Sequence, residues 1–483
     1  MAHGEFCDPG LPIKLNPCSN GEFVPGPATP LALETVRRTR AAADREAAAI
    51  GMSRRRFLLS TMGSAAMLTI LAACAKDQAA HDGVGAPGGT YVVPPEAGRD
   101  PAAAADALGG DEFVFDVQGH FLDYSHDYGA VPAFPQSNCN RGDPRSCYSV
   151  DTFLDLIFNQ SDTNMVVLSA LPFAGNPLSP EVMAQTIDLA DQVCGDQRVL
   201  MQGEAHPSDG SLDIVLATMM DLRSRYEIAA WKVYCHAGGP GWYLDDHDPA
   251  GAQVGQAFLD QAARIGPPIV AVHKGFSGGS PYASPVDVGP AAAAHPDLAF
   301  VVYHSGYEPD RREGAYDAQS ARGVDRLIAS LQTAGVGAGT GRGNVYAELG
   351  STWRSVMGDP TQAAHVLGKL LVHLGEDNVV WGTDSIWYGS PQDQIQAFRS
   401  FQITDEFQER FGYPELTPQI KAKILGLNSA RLYGVEPVMT GCVIDRAEIE
   451  QWRQTSPDGN RTFGPTTAAG AIALMSGHGI APA

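Results

Sequence analysis

From residue 113 onward, short apolar runs that end in polar residues alternate with helical stretches, and this alternation constrains the fold more than anything else in the chain. The runs are FVFDVQGH (113–120), NMVVLSALP (164–172), RVLMQGEAH (198–206), IAAWKVYCH (228–236), PIVAVHKG (268–275), LAFVVYHS (298–305), NVYAELGS (344–351) and NVVWGTDS (378–385). Stretches such as VMAQTIDLADQVC, SLDIVLATMMDLRSRY and VDRLIASLQTAG lie between them with helical periodicity. Alternating strand and helix implies parallel strands joined by right-handed crossovers. Eight units over roughly 320 residues predict an α/β fold, a (β/α)8 barrel of the TIM type with long βα loops over 111–436. A doubly wound open sheet is the alternative.

A barrel gathers the C-terminal ends of its strands around one mouth. Asp116, Gln118, His120, His273, His304 and Asp384 all stand at such ends. The period of two places Asp116, Gln118 and His120 on one strand face, and Lys232, Tyr234 and His236 on another. Polar side chains lining a strand are costly unless paired, so their crowding predicts a site. Imidazoles and a carboxylate suit a divalent metal or acid–base chemistry. Glu348 is the expected partner of Lys232, and both are candidates for substrate binding. Trp242, Tyr243 and Trp387 are candidate pocket walls. His206, His236 and Lys274 read as satisfied polar residues.

The first 110 residues divide differently. Residues 1–52, rich in Pro, Gly and Ala, read as a disordered extension, and 75–110 as a linker. Between them, SRRRFL (53–58) opens a short apolar run that closes on LAAC (71–74), a basic region and apolar stretch of secretory type. The chain carries −22 net charge; an acidic body disfavours nucleic-acid binding but names no substrate, and the small molecule expected as partner follows from the strand-end residues. Of the eight cysteines, none forms a CxxC pair, which argues against a structural zinc site. Cys139 and Cys147 flank a polar loop and are candidates for a disulfide. Residues 437–483 read as a tail.

Arg54–Arg55 with Phe57 and Leu58 resemble a twin-arginine signal, and LAAC resembles a lipoprotein lipobox. That resemblance implies export to the cell envelope, lipidation at Cys74, and membrane contact only through the signal or anchor. The ordered strand-end residues, with WGTDS (381–385) and the closing segment KILGLNSARLYGV (423–435), resemble the amidohydrolase superfamily. The likeness is to the amidohydrolase-related family that includes the aminocarboxymuconate-semialdehyde decarboxylase type. It implies that His120, His273 and Asp384 hold one divalent metal, most often zinc. It also implies that His304 and Asp384 are catalytic, with relatives often homodimeric. Gln118 departs from the family's first histidine. An amide oxygen is a poor zinc ligand beside imidazole, so Gln118 is either a weak ligand or the mark of a site that works without metal.

The expected function is metal-dependent hydrolysis of a C–N or C–O bond in a small molecule. Non-oxidative decarboxylation of an unsaturated or aromatic acid is the alternative, with Arg311 and Arg312 as candidates for its carboxylate. A non-catalytic ligand-binding lipoprotein is the third reading. Gly275-Phe-Ser277-Gly-Gly279 matches a nucleophile elbow in spelling, but no helix pattern or correctly ordered histidine follows it.

Overall fold

The computed structural model describes residues 11–123, 147–172, 178–237, 239–442, 444–445, 464–465 and 467–477. Ten strands are numbered in chain order. Eight of them form one parallel sheet in sequential order: β2 (Phe115–Gly119), β3 (Met165–Leu168), β4 (Val199–Glu204), β5 (Ile228–Tyr234), β6 (Ile269–His273), β7 (Ala299–Tyr303), β8 (Val345–Glu348) and β9 (Val379–Val380). A parallel bridge from Gly119 to Ser385 and the Val117 N–H donated to the Trp381 carbonyl bring the last strand back to the first. All eight apolar runs therefore become barrel strands, and the sheet closes as a (β/α)8 barrel.

Strand alternation sorts the core into two layers. Phe115, Val117, Met165, Val167, Ala271 and Val301 pack together inside the barrel. Their neighbours Val166, Val270, Val272, Phe300 and Val302 face the helices. The closing segment plugs one end: Tyr433 packs on Phe115 at 5.5 Å, and the Asn428 amide donates to the carbonyls of Glu376 and Val379.

One expected periodicity fails. The register shifts between Asp116 and Gly119, so Asp116 does not share a face with Gln118 and His120. Phe115 and Val117 take the interior instead, and the bulge re-aims the two residues that follow, as bulges next to sites commonly do.

The N-terminal region also differs from expectation. The segment read as disordered is ordered from residue 11. Thr29 caps a helix over Pro30–Ala49, which packs against a second helix over Thr61–His81. The stretch read as a linker supplies β1 (Gly89–Tyr91), paired antiparallel with β10 (Phe401–Ile403), and a helix over Pro101–Leu108. Burial of Leu31, Val36, Met67, Leu68 and Leu71 explains the docking; the apolar run is amphipathic only in the company of the helix beside it. No helix among the described residues is long and apolar enough to cross a membrane.

A disulfide joins Cys194 to Cys442, fastening the end of the described chain to the helix after β3. Cys147 is disulfide-bonded as well; Cys139 and most of the loop around it lie outside the described residues, as does most of the 437–483 tail.

Candidate active site at the barrel mouth

Four of the sequence candidates converge where the strands end. His120 follows β2, and its Nδ1 lies 2.6 Å from the Ser169 carbonyl. A carbonyl only accepts, so Nδ1 carries a proton and Nε2 is the nitrogen turned to the site. It lies 3.3 Å from Asp384 Oδ1. His304, after β7, is held in the same manner: Nδ1 lies 2.8 Å from the Gly350 carbonyl, leaving Nε2 open. Imidazoles fixed in this way through one nitrogen to the backbone are the usual arrangement of metal-ligating histidines.

Asp384 is the most heavily solvated carboxylate of the mouth, with protein donors in place of water. Gln118 Nε2 and Trp387 Nε1 each donate to Oδ1 at 3.1 Å; Asn20 Nδ2 donates to Oδ2 at 2.8 Å, joined there by the Ser351 hydroxyl. Burial alone would raise its pKa, but the hydrogen bond with His120 and the Ser351 donor hold it below the usual carboxylate value. Asp384, His304, Ser305 and Ser351 all adopt positive φ, between +53° and +65°. Non-glycine residues held in that region are strained, and such strain clusters at functional sites.

Asp116 works behind this layer. It accepts the backbone N–H groups of Gln118 and Thr383, each at 3.0 Å, and the Thr383 hydroxyl. It thereby ties the end of β2 to the loop that carries Asp384. Burial pushes its carboxyl up to about 7, against those donors.

Three expectations change. Glu348 does not pair with Lys232. Its carboxylate accepts the backbone N–H groups of His304 (2.9 Å) and Gly350, and burial lifts it to about 8. Lys232 Nζ instead stands over the rings of Tyr303 (3.6 Å) and Tyr234 (4.4 Å) with no hydrogen-bond partner. Burial lowers Lys232 to about 7, against the pull of Glu22, Glu348 and Asp384. Arg311 and Arg312 are engaged elsewhere, with Asp325 and Asp359 respectively. Gln118 donates to Asp384 through its amide nitrogen, and its Oε1 lacks a partner.

The expected satisfied residues divide. Lys274 pairs with Asp287 at 2.8 Å and His206 with Glu204 at 3.0 Å. His236 does not settle this way: its ring lies 4.8 Å from that of His273, its Nδ1 has no partner, and burial depresses it to about 3. Trp387 does line the site, stacked on His120 at 6.0 Å. Trp242 and Tyr243 pack with Phe258 and Tyr282 instead. Ser277 caps a turn, accepting the Gly279 N–H, which agrees with setting the nucleophile-elbow reading aside.

Sequence reasoning missed the segment around Asn20 and Glu22. Asn20 bridges two carboxylates, donating to Glu22 Oε2 at 2.7 Å and to Asp384 Oδ2. Glu22 Oε1 lies 3.0 Å from His273 Nε2, and Oε2 lies 3.9 Å from His304 Nε2. Burial, then the Asp384 charge, raises Glu22 to about 8. Only the Asn-Gly spelling of 20–21 hinted at a tight turn there. Among the described residues, Glu22, His273 and His304 form a group of candidate metal ligands, their ligand atoms all within 4.8 Å of one another. With His120 and Asp384 alongside, the nitrogen and oxygen donors fit a divalent ion such as zinc.

No curated protein matches the chain. Among solved structures, the chain is similar to 5-carboxyvanillate decarboxylase from Sphingomonas paucimobilis (14% identity, 67% of this chain and 99% of that one, TM-score 0.41). It is also similar to an amidohydrolase from Burkholderia multivorans with bound zinc (14%, 67% and 100%, TM-score 0.38). A third is a dihydroxybenzoic acid decarboxylase from Polaromonas with bound manganese and an inhibitor (12%, 67% and 97%, TM-score 0.39). The model of one family, described as Amidohydrolase, matches residues 180–435. That span is more than half of the chain and holds His273, His304 and Asp384, and the protein is an enzyme of the amidohydrolase family.

Proposed function

We propose that the protein is a metal-dependent hydrolase that cleaves a C–N or C–O bond of a small molecule. The observation that carries this reading is the convergence at the mouth of His120 Nε2 and Asp384 Oδ1, 3.3 Å apart, beside the grouped ligand atoms of Glu22, His273 and His304. His120, His273 and Asp384 would hold the cation, which supplies Lewis acidity: it polarises a substrate oxygen and makes water more acidic. Asp384, kept ionised, takes the proton of the attacking water and passes it to the departing nitrogen or oxygen. His304 keeps an unprotonated Nε2 toward the same space, because burial depresses it to about 4. Trp387 holds Asp384 and walls the site.

Decarboxylation is the second reading, favoured by the unpaired Lys232 Nζ, a cation for a substrate carboxylate. The test is zinc-loaded full-length protein assayed against amides, esters and lactones in 18O-water, and against unsaturated and aromatic acids for CO2 release. Label in the product, lost in Asp384→Asn, supports hydrolysis. CO2 release without label overturns it in favour of decarboxylation.

Export to the cell envelope, with lipidation at Cys74, is a separate proposal: cleavage ahead of Cys74 would remove Asn20 and Glu22, so the processed chain would bind metal through barrel residues alone. It is supported by the Arg54–Arg55 signal pattern and by the Cys194–Cys442 disulfide, a bond typical of oxidising compartments. In the full chain Cys74 is buried within the helix pair, so lipidation requires that helix to leave its neighbour. Radiolabelled palmitate incorporation, compared between the wild type and Cys74→Ala, tests it; equal labelling would overturn it.

A further inference from the structure

The segment before the first helix is built into the barrel mouth. Lys14 Nζ pairs with Asp393 Oδ1 at 2.9 Å, and its backbone N–H donates to the same carboxylate. Arg354 donates to the Asn16 carbonyl at 2.8 Å, Ser19 N–H to the Pro465 carbonyl at 3.0 Å, and Phe23 packs on Phe276 at 5.2 Å. Between these anchors the chain turns at Gly21, which has φ +96°. The Asn20 side chain accepts the Glu22 N–H while donating to the Glu22 carboxylate. Glu22 is thus aimed by its own turn.

What it is aimed at lacks partners. His273 is fully buried, and neither of its ring nitrogens makes a hydrogen bond. The 3.0 Å approach of Glu22 Oε1 to His273 Nε2 is a contact without hydrogen-bond geometry. His304 Nε2, left unprotonated by the Gly350 carbonyl, faces the other Glu22 oxygen. Buried polar nitrogens are rarely left unsatisfied in a protein, and a site for an ion is one of the few reasons they are. A carboxylate and two imidazole nitrogens converging within 4.8 Å of one another make the donor set of a divalent cation.

We propose that Glu22 is a further ligand of the divalent-cation site, reaching it beside His273 from outside the barrel. The proposal rests on the metal-dependent reading above. It differs from that reading by adding one ligand from outside the barrel, in a segment that precedes Arg54–Arg55.

The test is zinc affinity of the full chain by chelator competition, for wild type, Glu22→Ala, Glu22→Gln and His273→Ala, beside the visible spectrum of each cobalt-loaded protein. Glu22→Ala should weaken zinc by at least about tenfold, the loss that even an outer-shell partner produces. Glu22→Gln should weaken it less, and both should alter the cobalt spectrum. Near-ultraviolet circular dichroism of the zinc-free proteins checks that the fold is intact. Zinc lost in His273→Ala but unchanged in both Glu22 variants overturns the role of Glu22 and leaves the metal site standing. Unchanged zinc affinity with faster turnover in Glu22→Ala overturns it too, in favour of a segment that obstructs the site. No zinc bound by the wild type overturns both readings.

Discussion

Two buried polar clusters in this protein obey opposite rules. Beneath the loop after β7, Lys369 Nζ is shared by Glu313 and Asp325, at 2.5 and 2.6 Å, and all three side chains are essentially inaccessible. Every charge there meets its opposite. At the barrel mouth, both ring nitrogens of His273, Gln118 Oε1 and Lys232 Nζ have no hydrogen-bond partner. The first cluster is complete as folded. The second leaves polar atoms open to a ligand, and the contrast separates an ionic clamp from a working site more sharply than burial does.

The largest effect expected from breaking this contrast lies at the mouth. Asp384→Asn keeps the shape but removes the proton acceptor, and turnover should fall on the order of 10²–10⁴-fold. Stability of the zinc-free protein should fall by only about 1–3 kcal/mol, because the new amide nitrogen would face two of the four donors that the carboxylate accepts. Denaturant titration beside the assay separates the two outcomes.

Lys369→Met is the opposite experiment. It removes the shared cation and leaves the two buried carboxylates only Arg311, 3.8 Å from Asp325 and 4.0 Å from Glu313, and should cost about 3–5 kcal/mol of stability. Zinc affinity of the protein that remains folded should match the wild type; a matching loss there would mean that the clusters are not independent.

Gln118→His refines the comparison. It supplies an imidazole beside His120 and Asp384, and zinc affinity should rise by about tenfold. Unchanged affinity in a chelator competition would place Gln118 outside the ligand shell.

The smallest effect concerns His365, one helical turn from Lys369, whose charge adds to burial in keeping the imidazole neutral. His365 is buried against Phe407, Phe411 and Tyr413, and burial holds it down at about 4. The unfolded chain takes up that proton near pH 6.5 and the folded chain does not. Stability should therefore fall as pH drops from about 6.5 toward 4, by up to about 1 kcal/mol per pH unit. His365→Phe should flatten that part of a urea-midpoint profile measured between pH 4 and 7.

The barrel was legible because its strands are written in short apolar runs whose polar ends are local in sequence. His120, His273, His304 and Asp384 could be picked from those ends, and the structure gathers them. The pairing of Lys232 with Glu348 was not legible, because a strand-end position does not say whether a carboxylate meets a side chain or the backbone. The common face of Asp116, Gln118 and His120 failed because a bulge adds a residue that alternation cannot count. Cys194–Cys442 joins positions 248 residues apart, and connectivity of that kind has no local signature. Asn20 and Glu22 were hidden for a related reason. Their surroundings are Pro- and Gly-rich, and their role appears only when Asp393, Arg354 and Phe276 are beside them.

The anchoring of Glu22 between Lys14 and Phe23 also sets a scale for competition. A side chain tethered so closely meets the imidazoles at an effective concentration of at least about millimolar, the value for short flexible linkers. Acetate or formate at lower concentration will not displace it. Inhibition by small carboxylates is thus a measure of how firmly the N-terminal segment is seated: whatever loosens Lys14 from Asp393 should make the enzyme more sensitive to simple acids, with no change in any residue of the mouth.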